Sequence, residues 1–136
     1  MRFLSSLHIV CTLLMIFDRF VIWARASASE ALVFTIRASE AFSAGAVGLL
    51  ASSITTVMAC LSLPVLILIL LGKSRLYDLL LLALTVEFAA ACLSVGLHWI
   101  GFTDWTLSVA FFLEICVIVY MPPFIAVLLK QRRSTK

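Results

Sequence analysis

Chemistry in this chain would have to begin from very few residues. Glu87, Glu114 and His98 stand inside otherwise apolar runs, and Asp18-Arg19 interrupts another. Glu87 and His98 are eleven residues apart, nearly three helical turns, so on a helix they share a face with Ala91 and Ser94 between them. Helical rise sets them about 16 Å apart, too far to touch, although a water chain would join them as in a proton relay. The plainer and favoured reading is a protonated Glu87 bonded to a neighbour and an interfacial His98 beside Trp99. For Glu114 two readings stand level. In one, Arg19 pairs with it between the first and last apolar runs. In the other, Asp18 and Arg19 reach the headgroups. A shared-proton pair of Glu87 and Glu114 ranks below both.

Other chemistry finds no residues to carry it. The sequence has no nucleotide loop, no HExxH, no Ser/His/Asp set and no glycine-rich phosphate cradle. Cys11, Cys60, Cys92 and Cys116 each lie in an apolar run with no CxxC or Cys/His spacing, so they read as buried structural thiols rather than a metal site. They say nothing of the redox compartment. His8 and His98 fall at opposite membrane faces in the topology below, which rules out one haem between them. No cofactor, metal or catalytic residue is expected.

The elements that must position these residues follow from composition. Of 136 residues, 64% are hydrophobic and 12% charged, and the mean hydropathy is +1.20. A soluble 15.0 kDa chain has too little interior for that much apolar surface. Disorder is excluded more firmly. The net charge of +3 does not indicate nucleic acid, because the basic residues edge the apolar runs instead of alternating with aromatics. The solvent for most of the chain is lipid.

A bilayer core takes about 20 apolar residues as helix. Four segments fit, at about residues 3–23, 45–71, 79–101 and 107–129. The expected fold is all-α, an antiparallel bundle of four transmembrane helices forming a single domain. The first segment has a rival reading as a signal peptide cleaved after Ala26-Ser27-Ala28, against which the stretch from Asp18 to Arg25 is long and charged. Trp23, Tyr77, Trp99, Phe102 and Trp105 lie at segment ends, as interfacial rings do.

Basic residues orient the bundle. One side collects Arg2, Lys73, Arg75, Lys130, Arg132, Arg133 and Lys136. The other holds Arg19, Arg25 and Arg37, offset by Asp18, Glu30 and Glu40. Both termini are therefore expected in the cytoplasm, with residues 130–136 as a basic tail against anionic headgroups. The connections at Gly72-Lys73-Ser74-Arg75 and at Phe102 to Thr106 are tight and make antiparallel neighbours. Residues 24–44 form the one long connection, read as a helical extension of the second span. The competing reading is a short extended piece at residues 32–36.

Gly45, Gly48, Ser52 and Thr56 make a small-residue stripe at helical spacing on the second span, extended by Ser53, Thr55, Ala59 and Ser62. Such stripes allow close helix contact, within the bundle first and with a partner second. Pro64 and Pro122-Pro123 are expected to bend their helices.

The whole pattern resembles the MARVEL-type four-helix membrane proteins. It shares four spans, two cytoplasmic termini, a tight basic turn between spans two and three, and a third span of Leu, Phe and Ala around an acid, from Leu79 through Glu87 to Val95. That family often has a longer, cysteine-bearing connection between spans three and four, which residues 102–106 lack. The resemblance implies membrane organisation, vesicle traffic or membrane apposition without catalysis.

The expected function is therefore non-enzymatic: organising membranes or scaffolding other membrane proteins through helix contacts. Its partners would be membrane lipids, other membrane proteins or copies of itself, and not nucleic acid. A small accessory subunit of a larger complex is the second reading. A minimal proton-coupled carrier using Glu87, Glu114 and His98 is the third. The plasma membrane or secretory pathway is favoured over the mitochondrial inner membrane.

Overall fold

The computed structural model describes residues 1–25, 44–99 and 109–134, and gives the backbone alone for 19–25, 44–49, 74, 98, 109 and 110. The described residues form four α-helices: α1, Arg2–Arg25; α2, Ala44–Leu70; α3, Tyr77–Trp99; and α4, Val109–Ser134. The connections between α1 and α2 and between α3 and α4 lie outside the described residues. So do the expected helical extension, the extended piece at 32–36 and the tight turn at 102–106.

Three stretches are long and apolar enough to cross a membrane: Leu50–Leu70, Tyr77–Leu97 and Phe111–Ser134, with mean hydropathies of 2.4, 2.1 and 2.3. In hydrocarbon every backbone N–H and C=O must be satisfied internally, which selects helix for such stretches. That constraint outweighs the prolines. Pro64, Pro122 and Pro123 sit on outward faces inside α2 and α4, and both helices continue through them.

The turn between α2 and α3 has a definite stop signal. Gly72 adopts φ 98°, a left-handed conformation that glycine enters without penalty. Its N–H donates to the Ile69 carbonyl at 2.9 Å, and the Lys73 N–H donates to the Leu68 carbonyl at 3.1 Å. These two bonds are the Schellman motif, which satisfies carbonyls that the helix end would otherwise orphan. A short 3-10 turn, Ser74–Leu76, leads into α3.

Contacts run from α1 to α2, α2 to α3, α3 to α4 and α4 back to α1, so each helix touches two neighbours. α3 and α4 are antiparallel: the start of α3 meets the end of α4 through Arg132 Nη2 and Asp78 Oδ1 at 2.6 Å, while Ser94 meets Glu114 further along. The buried positions follow alternating steps of three and four. They are Ser5, His8, Thr12 and Met15 on α1, and Ser52, Thr55, Ala59, Ser62, Leu66 and Ile69 on α2. Leu80, Leu84, Glu87 and Ala91 continue the pattern on α3. This is the spacing of coiled-coil seams.

Polarity is inverted relative to a soluble bundle. Ser5, His8, Thr12, Ser52, Thr55, Ser62, Glu87 and Glu114 are buried, while Phe3, Leu13, Leu50, Leu61, Leu71, Leu82, Phe112 and Val119 face outward. The thiols divide against expectation: Cys11 is buried, but Cys60, Cys92 and Cys116 are exposed on outward faces. An apolar run in lipid has two apolar faces, so lying within one does not imply burial.

Candidate functional site

The buried polar residues gather into a layer to which every helix contributes. His8 comes from α1, Ser62 from α2, Glu87 from α3 and Tyr120 from α4. His8 Nδ1 lies 2.8 Å from Tyr120 Oη and His8 Nε2 lies 2.8 Å from Ser62 Oγ. The imidazole therefore ties α2 to α4. Phe124 packs on the same ring at a centroid distance of 5.6 Å. His8, Ser62 and Glu87 are fully buried and Tyr120 nearly so.

Counting protons fixes the direction of these bonds. The single hydroxyl proton of Ser62 is donated to the Ala59 carbonyl at 2.9 Å. Ser62 Oγ must then accept from His8, so the proton of a neutral imidazole sits on Nε2. Nδ1 is left as an acceptor, and Tyr120 donates its O–H to it. Every donor in the layer is then committed. Glu87 is the consequence: neither of its carboxyl oxygens has a hydrogen-bond partner, although the Ser62 hydroxyl lies beside it. Cys11, Cys60 and Tyr120 lie close enough to feel its charge.

The layer has a common depth. Counted at 1.5 Å per residue from Arg2, Leu70, Tyr77 and Lys130 at the basic end, His8 lies about 9 Å in, Ser62 about 12 Å, and Glu87 and Tyr120 about 15 Å. From here the interior differs in its two directions. Towards the basic end the seam is Leu66 and Ile69, Leu84 and Leu80, Phe124 and Leu128, with Ser5 the one polar side chain buried among them. Away from it come Thr12, Thr55, Ser52 and Glu114. Ser94 donates to Glu114 Oε2 at 2.8 Å. Thr12 Oγ1, Glu114 Oε1 and Asp18 Oδ2 are buried without a partner.

Against this geometry the residues expected from sequence fall as follows. Glu87 and Glu114 are both buried, at separate levels about six to seven residues apart along their helices. The described partner of Glu114 is Ser94, while the Arg19 and His98 side chains lie outside the described residues. Asp18 is half-buried. Glu87 finds its neighbours in the layer of His8, Ser62 and Tyr120 across the bundle. Of the small-residue stripe, Ser52 and Thr56 have described side chains. Ser52 is buried, but the buried face continues from it through Thr55, and Thr56 is turned aside with its hydroxyl on the Ser52 carbonyl at 3.1 Å. Gly45 and Gly48 are described by their backbone alone, within α2.

In the sequence His8 offers only the type of a haem ligand, and Tyr120 belongs to no motif. The signal that would have found them is depth: each sits a similar number of residues from a basic helix end. On the outer surface, α2 and α3 leave an apolar groove of about 350 Å³ lined by residues such as Met58, Leu61, Leu79 and Val86. Among the described residues no group of three or more His, Cys, Asp or Glu is placed to hold a metal ion. Comparison with protein-family models, with curated proteins and with solved structures finds no match, so the MARVEL resemblance rests on the sequence alone.

Proposed function

We propose that the chain is a non-enzymatic, multi-pass integral membrane protein that organises membranes or holds other membrane proteins through lateral helix contacts. In this reading all four helices cross the bilayer as an antiparallel bundle with both termini cytoplasmic. The observation that carries it is the inverted polarity. Leu50, Leu61, Leu82 and Val119 are each more than half exposed, while Glu87 and His8 are fully buried. Water would reverse that arrangement and lipid favours it.

The orientation is supported by Arg2, Lys73, Arg75, Lys130, Arg132 and Arg133 at one end. α1 belongs to the bundle because His8 and its seam are buried against α2 and α4. The groove between α2 and α3 is lined by apolar side chains and suits acyl chains or another helix.

The test is extraction followed by native migration. Alkaline carbonate should leave the chain in the membrane, and mild detergent should release it as homo-oligomers or lipid-rich particles. Release by carbonate alone overturns membrane integration. Migration at fixed stoichiometry with larger proteins replaces scaffolding by an accessory-subunit role.

A further inference from the structure

We propose that the His8–Ser62–Glu87–Tyr120 layer is a proton-binding site, with Glu87 as the carboxyl that takes the proton, reached by water from the membrane face opposite the basic helix ends. This goes beyond lateral scaffolding and needs only the membrane placement, which the carbonate extraction tests separately.

Three observations lead to it. First, both oxygens of a fully buried carboxyl lack partners, while every donor around them is committed elsewhere. A buried carboxylate without donors is very unfavourable, whereas a carboxylic acid brings its own O–H. The Ser62 hydroxyl stands beside it, and a hydroxyl oxygen can accept such a proton.

Second, the layer can serve both states of Glu87. When a hydronium in the water file gives its proton to the carboxylate, the products are a carboxylic acid and water, and the Ser62 hydroxyl turns to the Ala59 carbonyl, where it is seen. When the proton leaves, one rotation of the Ser62 hydroxyl moves its proton from the Ala59 carbonyl to the carboxylate. His8 Nε2–H continues to donate to Ser62 Oγ in both states. The titratable groups near Glu87 are His8 and Cys11 from α1, Tyr120 from α4 and, on the outward side of α2, Cys60. None of these is a carboxylate or a permanent cation, so among the described residues Glu87 is the one acid at this level.

Third, the interior is one-sided. Thr12 Oγ1, Glu114 Oε1 and Asp18 Oδ2 are buried without partners at about 6, 9 and 15 Å from the layer on the side away from the basic end. Unpartnered buried polar atoms are the kind that ordered water satisfies. Towards the basic end Ser5 Oγ is the one such atom among the described residues, and the rest of the seam is closed by Leu66, Leu84, Phe124 and Leu128, each with no exposed surface. A proton can thus come and go on one side and is blocked on the other, which makes a sensor of pH rather than a conduit.

The experiment uses the full chain in phosphatidylcholine vesicles. Infrared difference spectra between acid and alkaline buffer should show a protonated-carboxyl band that titrates, persists in Glu114→Gln and is lost in Glu87→Gln. If Glu87→Gln fails to fold, Glu87→Asp should shift the band. No titrating band, or one indifferent to position 87, overturns the site. Sidedness is read with a small hydrophilic thiol reagent, locating the label by peptide mass so that native cysteines remain. Thr12→Cys should label at least tenfold faster from the face opposite the basic ends, and Leu84→Cys from neither face. Equal labelling of Thr12→Cys from both faces, none from either, or labelling of Leu84→Cys from the basic side overturns one-sided access.

Discussion

Single residues here act mostly by satisfying one another. Ser94 supplies the one hydrogen bond described for Glu114, and its removal leaves a buried acid with no partner. Ser94→Ala should therefore cost about 1–3 kcal/mol and lower the unfolding midpoint in detergent, while Ser94→Thr keeps the hydroxyl and most of the stability. An unchanged midpoint in Ser94→Ala would show that the bond contributes nothing. His8 is a different case, since its two bonds join helices that face each other across α1. A double-mutant cycle of His8→Phe and Tyr120→Phe should give a coupling of about 0.5–1.5 kcal/mol, the range typical of hydrogen bonds between membrane helices. Additive effects would mean that the 2.8 Å contact carries no energy of its own. The acids Glu87 and Glu114 were legible in the sequence because a charge stands out in an apolar run. His8 and Tyr120 were not, because the partner of a buried polar group is set by depth on another helix.

Helices are the part of the fold that sequence revealed best, since lipid leaves an apolar run of this length few alternatives. Their rotation was harder to read. Gly45, Gly48, Ser52 and Thr56 include two successive steps of four, which turn a stripe by about 80° around the helix. The seam instead alternates three and four, and so passes through Thr55, Ala59 and Ser62. Bulk should be penalised on that seam and tolerated off it. Ala59→Leu should destabilise by about 1–3 kcal/mol through overpacking, whereas Val57→Leu, on an exposed face, should leave thermal stability within error. Similar effects at both positions would contradict the rotation described. The α2–α3 turn offers a cleaner measurement. A Cβ on Gly72 would meet nothing within 4 Å, so Gly72→Ala reports backbone strain alone, about 1 kcal/mol by chemical unfolding. No loss would mean that the left-handed turn is not kept.

Across the whole molecule the distribution of polarity decides behaviour. Composition alone announced a membrane protein, but it could not sort apolar residues into inner and outer faces, because both are apolar. The cysteines make that sorting measurable. A lipid-soluble maleimide should modify Cys60, Cys92 and Cys116 in membranes and spare Cys11 until the chain is unfolded. Cys11 reacting as fast as the others would reverse the assignment of the inner face of α1. The ion pair of Asp78 and Arg132 is partly exposed, so Asp78→Asn should change stability by no more than about 1 kcal/mol.

The positions of the prolines bear on how this molecule yields mechanically. All three prolines of the chain lie two or three residues beyond Ser62 or Tyr120, on α2 and α4. Lacking N–H groups, they leave the carbonyls of Cys60, Ile118 and Val119 without their usual helical donors. The two helices that His8 bridges are therefore weakest against bending at the level of the polar layer. Flexure concentrates where the restoring force is least. A gain or loss of charge at Glu87 acts at that compliant plane, where a small force gives the largest tilt of one half of the bundle against the other.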